Sequence, residues 1–262
     1  MDERYTEINS KTIDSWVSGG WEWGTPVTKE VCDLARQGIW DVVLTPLKPM
    51  PHEWFEPFIK DNRLDGHKLL GLASGGGQQM PLFAIAGADC TILDYSEAQL
   101  QTEREVAERE GYSINIVRAD MTLKLPFDDN SFDLIFHPVS NCYVEDVSHI
   151  WRECFRILKP GGVLAAGMGN GYHYLFDDMT VSPRVVVNKL PYNPLKDPEI
   201  MLKCVESNSG LQFSHTFEEL IGGQLKAGLV LTDAYEDLDN DPVIASDGYP
   251  AYWATRAVKP KI

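Results

Sequence analysis

Apolar residues recur along the chain with two periods, and from residue 68 onward the two alternate. Residues 68–73 are a short apolar run ended by Ser74-Gly75-Gly76-Gly77, the form of a buried strand bounded by a glycine turn. Met80, Phe83, Ala84 and Ala86 then fall at helical spacing and predict a helix over 78–88, with Pro81 in its first turn. Residues 90–93 give the next strand, which ends at Asp94. Ser96 with Gln99 has the form of a capping box and opens a helix that Gly111 stops. Residues 114–118 and 132–137 supply a third and a fourth strand. Val147, Ile150, Trp151, Cys154 and Leu158 mark one face of a helix, Lys159-Pro160-Gly161-Gly162 ends it, and 162–168 makes a fifth strand. Thr216 with Glu219 opens another capped helix that stops at Gly228, and 229–235 and 252–258 are the last two strands. This alternation predicts an α/β fold: a doubly wound, mostly parallel, seven-stranded Rossmann-like sheet with an antiparallel last strand and helices on both faces.

The first 65 residues read differently. They hold five of the seven tryptophans, Trp16, Trp21, Trp23, Trp40 and Trp54. Thr25-Pro26 has the N-cap and N1 form of a helix start, and a short helix through Ala35 is expected. Pro46, Pro49, Pro51 and Pro57 read as an irregular surface connection. The chain is therefore expected to divide into an N-terminal lid or helical segment, 1–65, and a ligand-binding domain, 66–262. Within the second, the irregular stretch 169–212, with Tyr172, Tyr174, Phe176 and Tyr192, is expected to cover a substrate.

Charge narrows the partners. Lys and Arg number 23 against 39 Asp and Glu, a formal charge of −16 with no basic cluster, so nucleic acid and anionic membranes are poor partners. No run approaches the ~20 apolar residues of a membrane span. The start, Met1-Asp2-Glu3-Arg4-Tyr5, lacks an apolar signal core, which points to the cytoplasm. Five widely spaced cysteines (Cys32, Cys90, Cys142, Cys154, Cys204) suggest neither a disulfide framework nor a zinc cluster. His52, His67, His149, His173 and His215 are scattered and give no metal-ligand set.

In an open α/β sheet, ligands bind beyond the C-terminal ends of the strands, near the point where strand order reverses. Three consecutive strands here end suggestively. The first ends in Ala73-Ser74-Gly75-Gly76-Gly77-Gln78-Gln79, a glycine turn feeding a helix N-terminus, which admits close backbone approach and favours an anionic group. The second ends in Asp94, 17 residues past Gly77, where a carboxylate can hold two ribose hydroxyls. The third leads into Asp120, able to accept a hydrogen bond from an exocyclic amine.

Together with their surroundings, LLGLASGGGQ, TILDYS, RADMTLKLPFDDNSFDLIF and WRECFRILKPGGVL, these features make residues 69–168, about 100 of 262, resemble the core of class I S-adenosylmethionine-dependent methyltransferases. The last two segments are similar to the type 11-like branch that includes quinone-biosynthesis and small-molecule enzymes. The resemblance implies that Ala73, Ser74, Gly75 and Gly77 wrap the methionine part of S-adenosylmethionine. It further implies that Asp94 takes the ribose hydroxyls, that Tyr95, Asp120 and Met121 flank the adenine, and that His137 sits near the sulfonium. S-adenosylhomocysteine would be the product. One departure stands out: the family's acidic residue two positions before the first turn glycine is Gly71 here, and that first glycine is Ala73. Contacts to the donor's amino group would come from Gln78, Gln79 or the N-terminal segment. A dinucleotide oxidoreductase is the main rival, but its third fingerprint glycine would fall at Met80. A non-catalytic S-adenosylmethionine-binding protein is a further alternative, motivated by Gly71.

Methyl transfer from a sulfonium needs chiefly positioning and dehydration, and a base only where the acceptor must lose a proton. His137, at the end of the fourth strand, and Tyr143 beyond it are candidates for such a base, or for lining residues. Trp21 and Trp23 are read as a stacking lid or as anchors of the N-terminal segment, and Tyr172 and His173 as contacts to a small-molecule acceptor. The sequence leaves the acceptor and the oligomeric state open.

Overall fold

The computed structural model describes residues 4–179, 181 and 183–261. Helices α1 (Tyr5–Ser18) and α2 (Lys29–Arg36) precede β1 (Lys68–Leu72), α3 (Met80–Ile85), β2 (Asp89–Asp94) and α4 (Glu97–Glu110). Then come β3 (Asn115–Arg118), β4 (Phe132–His137), α5 (Val147–Ile157) and β5 (Leu158–Gly169). The last elements are α6 (Pro198–Glu206), α7 (Gly223–Lys226), β6 (Val230–Asp237), α8 (Pro242–Ala245) and β7 (Tyr252–Val258).

All seven expected strands form one sheet of order β3-β2-β1-β4-β5-β7-β6. The pairings from β3 to β5 are parallel, and β7 runs antiparallel to both β5 and β6. Strand order reverses between β1 and β4, so the segments leaving those two strands part to opposite sides and open a crevice. Successive residues of β1 divide between two buried layers. Leu69 joins Phe83, Phe136, Trp40 and Trp54 on one face, while Leu70 and Leu72 join Ile135, Ile150, Trp151 and Leu164 on the other.

Local signals set most boundaries. Ser96 caps α4 through Gln99 N–H, and Gly111 ends it at φ 72°. The capping box there is only half made, because the Gln99 amide donates to Trp23 O instead of returning to Ser96. Thr216 and Glu219 form the full reciprocal box, yet the helix they open begins as a π-turn, Glu218–Gly222, before α7. The expected start at Thr25 is corrected: Thr28 caps α2, and α2 begins at Lys29. Nothing in the apolar pattern announced α1, whose buried residues are Thr6, Asn9, Ser10 and Thr12. The tryptophans also separate. Trp54 is core, with its indole N–H on Asp233 Oδ2 at 2.8 Å, and Trp40 is buried with its N–H on Asn62 O at 2.8 Å.

Residues 42–48 cross the carboxyl end of the sheet. Asp237 Oδ2, at the end of β6, accepts hydrogen bonds from Thr45 Oγ1, Leu47 N and Lys48 N, each at 2.8 Å. The Leu44 backbone then lies so close to β5 that a Cβ at Gly167 would overlap the Leu44 carbonyl oxygen. We expect Gly167→Ala to cost about 1–3 kcal/mol through this overpacking, read as a lower denaturation midpoint at unchanged m-value.

Candidate functional site

The carboxyl ends of β1, β2 and β3 and the segments after β4 and β5 surround one cavity of about 1210 Å³, with α1 and residues 43–46 also in its wall. Ordinary small-molecule pockets occupy roughly 300–1,000 Å³, so this one lies above that range.

The glycine turn forms one wall. Ala73, Ser74 and Gly75 line the cavity, and Ala73 adopts φ 49°, a left-handed conformation more comfortable for glycine. Gly75 N–H donates to Asp94 Oδ2 at 3.1 Å. A Cβ at Gly75 would sit 2.9 Å from that oxygen and 2.6 Å from Gln99 Cβ, so any larger residue would push Asp94 away. Gly77 stands behind the lining rather than in it. Its N–H donates to Glu103 Oε2 at 3.1 Å, while Tyr112 O–H donates to Glu103 Oε1 at 3.0 Å. Burial lifts the Glu103 carboxyl to about 7, against the pull of these two hydrogen bonds.

Asp94 and Asp120 both face the cavity from buried positions. Asp94 Oδ1 accepts Ser96 N–H at 3.0 Å; burial raises its pKa while the N–H groups of Ser96, Gly75 and Tyr95 act in the opposite direction. Asp120 Oδ1 accepts Thr122 N–H and O–H at 2.8 and 2.7 Å. Its Oδ2 has Arg4 Nη2 at 3.1 Å but receives no well-aligned hydrogen bond. Tyr95 and Met121 line the same end, as do Gln78 and Gln79 beside the turn. The Gln78 amide donates to Glu22 O and Thr25 O, and Gln79 Oε1 accepts Val43 N–H. Both glutamines thereby tie the N-terminal segment to the turn.

The expectation for His137 is corrected. Its ring is completely buried beneath the cavity, off its wall, with Nδ1 on Leu72 O at 2.9 Å and Nε2 unpartnered. Desolvation lowers its pKa to about 4, so the ring is a neutral strap between β4 and β1. Tyr143 does line the cavity, but burial drives its phenol well above the ordinary value, which suits a hydrogen-bond donor rather than a base. Tyr172 is corrected as well. It turns out of the cavity, stacks on Tyr249 at 4.5 Å and donates to Asp247 Oδ2 at 3.0 Å. Trp21, Trp23 and His173 are in the wall. Trp21 packs on Trp16 at 5.2 Å, and Trp16 stands 6.4 Å from Tyr143, so the three rings form one apolar side.

Sequence reasoning missed the inward face of α1 (Thr6, Asn9, Ser10, Ile13), the Val43–Pro46 stretch, and Asp239 with Tyr252. Thr6, Asn9, Ser10 and Ile13 do fall at helical spacing, a signal visible once polar side chains are allowed to face inward. Among the described residues, no group of three or more His, Cys, Asp or Glu is arranged to hold a metal.

Residues 70–166 match the methyltransferase-domain family. Over 258 residues the chain is 42% identical to YbaJ, an uncharacterised methyltransferase of Bacillus subtilis, spanning 96% of this chain and 97% of that one. It is 31% identical over 117 residues to a sterol 24-C-methyltransferase of Aspergillus fumigatus, which is 44% of this chain but 29% of that enzyme. Among solved structures, an S-adenosylmethionine-dependent methyltransferase from Mesorhizobium loti has the same fold, with a TM-score of 0.59 at 22% identity, covering 74% of this chain and 91% of the other.

Two outcomes test the site's construction. Ala73→Gly should stabilise the protein by about 1 kcal/mol by relieving the left-handed alanine, read by chemical denaturation. For His137, the unfolded chain takes up a proton near 6.5 and the buried ring only near 4, so stability falls as pH drops through that window. His137→Asn should remove that dependence, roughly 3 kcal/mol between pH 7 and pH 4, in thermal unfolding followed across pH.

Proposed function

Because the chain belongs to the class I S-adenosylmethionine-dependent methyltransferases, with that donor as cofactor and S-adenosylhomocysteine as product, we propose that it methylates an O, N or C atom of a small molecule held in the same cavity as the donor. The observation that carries this reading is the meeting of the glycine turn, Asp94 and Asp120 in one cavity large enough for a second ligand.

The residues present fit the donor. Asp94 spends one lone pair per oxygen on backbone N–H groups and keeps others for ribose hydroxyls. Asp120 Oδ2 lacks an aligned donor, which an adenine amino group supplies, with Tyr95 and Met121 beside the ring. Ser74 Oγ is buried without a partner next to the turn, where the methionine part would lie. Asp94, Asp120, Asp177 and Asp239 line the cavity among the described residues, against Lys203 in the wall and Arg4 paired with Asp120, a balance that leaves the field negative and favours a cation such as a sulfonium. The donor brings an already activated methyl group. The chain's part is to hold the two reactants in line and to exclude water, with α1, Trp21 and Trp23 as lid and Tyr174, Phe176 and Tyr192 as cover.

A formal charge of −16 and a walled cavity suit a small acceptor better than a nucleic acid. No helix among the described residues is long and apolar enough to cross a membrane, and the five free cysteines suit the reducing cytoplasm.

Isothermal titration should show saturable binding of S-adenosylmethionine and of S-adenosylhomocysteine. Asp94→Asn and Asp120→Asn should each weaken it about ten- to a hundredfold, the loss of one or two charge-assisted hydrogen bonds. A wild-type protein that gives no heat with either ligand would overturn the reading.

A further inference from the structure

Behind the glycine turn lies a carboxylate that the cavity wall does not show. Glu103, midway along α4, is fully buried. Its Oε2 accepts Gly77 N–H at 3.1 Å and its Oε1 accepts Tyr112 O–H at 3.0 Å. A peptide and a phenol are neutral donors, so they solvate the charge on Glu103 without cancelling it. The titratable side chains around it are Tyr112 after α4, Cys90 on β2 and Cys32 on α2. Asp89 lies beyond Cys90, and Arg36, Arg109 and Glu110 lie beyond Cys32.

The polarity of the turn follows from where its N–H groups go. A glycine turn that cradles an anion aims them at the ligand. Here they are spent on the protein: Ala73 N–H on Leu93 O at 2.7 Å, Gly75 N–H on Asp94 Oδ2 at 3.1 Å, Gly76 N–H on Gln99 O at 3.1 Å and Gly77 N–H on Glu103. Two of the four acceptors are carboxylates. The peptides are trans, so the Gly75 and Gly76 carbonyl oxygens point opposite to the N–H groups that reach α4. The N-terminal segment holds the turn in this sense from another side. Gly77 O accepts Val27 N–H at 2.9 Å, and a Cβ at Gly77 would sit 2.8 Å from Val106 Cγ2 and 3.1 Å from Pro26 Cβ. A turn backed by carboxylates in this way suits a cation.

We propose that Glu103 is a positioning residue of the donor site: its carboxylate fixes the glycine turn through Gly77 and lends it the negative charge that selects the cationic methionine end of S-adenosylmethionine. The inference rests on the reading that the donor binds at this turn. Ionised, Glu103 makes a charge-assisted bond to Gly77 and adds its field to that of Asp94; protonated, it does neither. Burial sets that exchange at about 7, so donor affinity rises as pH climbs through that value, and the bound cation favours the ionised carboxyl in return.

The test uses the full chain and calorimetric titration with three ligands of one shape family. S-adenosylmethionine carries a sulfonium and an ammonium, S-adenosylhomocysteine the ammonium alone, and 5′-methylthioadenosine neither. For the wild type, S-adenosylmethionine affinity should rise several-fold from about pH 6 to about 7.5, below the range in which the ligand's own amine titrates, with 5′-methylthioadenosine unchanged. Glu103→Gln keeps the volume and an oxygen for Gly77 N–H but not the charge. At the upper pH it should weaken S-adenosylmethionine about tenfold and 5′-methylthioadenosine less than about twofold, with S-adenosylhomocysteine between them, and it should flatten the pH profile. Tyr112 lies outside the cavity wall, and its hydrogen bond favours the ionised carboxyl, so Tyr112→Phe should move the limb to higher pH. The wild-type limb and its displacement test the inference even where Glu103→Gln does not fold. Equal weakening of all three ligands, or of none, refutes it, as does a limb that is flat in the wild type or stays in place in Tyr112→Phe. Those results, obtained on a protein that binds S-adenosylmethionine, fall on this inference alone, while a wild type that binds no donor removes the reading beneath it.

Discussion

The site depends on how one buried carboxylate, Asp94, is satisfied. A charge at that depth is tolerable only when hydrogen bonds replace the water it has lost. Asp94 obtains them from Gly75 N–H of the turn after β1 and from Ser96 N–H at the head of α4. The same serine reaches outward, donating from Oγ to Asp14 Oδ1 at 2.6 Å, and Ala98 N–H adds a second bond to that oxygen. One local cluster therefore fixes the glycine turn, the end of β2, the start of α4 and the middle of α1. The arrangement places Asp14 near Asp94, and the like charge adds to the rise in the Asp94 pKa.

That cluster also explains why α1 lies where it does. Most helices dock through apolar stripes, yet α1 buries Thr6, Asn9, Ser10 and Thr12. Asn9 exchanges two hydrogen bonds with the Leu211 backbone, at 2.7 and 2.8 Å, and Ser10 Oγ donates to Tyr95 O at 2.8 Å. Trp16 Nε1 donates to Asn208 O at 2.8 Å. The helix thus spans the cavity on directional bonds to two backbones rather than on packing. Those bonds go to separate backbone segments, so they can break one at a time.

The sheet was readable because each strand is a buried apolar run ended by a turn signal, and neighbouring runs support one another. Asp94, Asp120 and the glycine turn were readable for the same reason, since they mark strand ends and a sheet brings its ends together. Two classes of feature were not. α1 has an inward face that is polar, so hydrophobic periodicity assigns it to solvent. Asp239 sits in the acidic run after β6, and only the pairing of β6 with β7 carries it back to Tyr252 and His173. His137 was misread for a related reason. Its place at the end of β4 is that of a ligand contact, but the pleat turns its ring down onto Leu72 O, and the residues after it, Pro138 to Tyr143, provide the wall instead.

The two departures from the family's turn, Gly71 and Ala73, have different physical characters. A side chain at position 71 would require Met80 to move, because a Cβ there would overlap the sulfur of that fully buried residue at the start of α3. Met80 is also the residue at the third glycine position of a dinucleotide fingerprint, so one thioether both fills the space an acidic side chain would need and keeps α3 away from β1. Gly71 and Met80 are thus packed as a pair beneath the turn. Ala73 belongs to the wall itself. Its left-handed backbone is kept because Ala73 N–H is tied to Leu93 O at 2.7 Å, and the next N–H to reach a buried acceptor is that of Gly75 on Asp94. The turn keeps its shape through those bonds to β2, and the strain at Ala73 is the local cost of presenting Ser74 and Gly75 to the cavity.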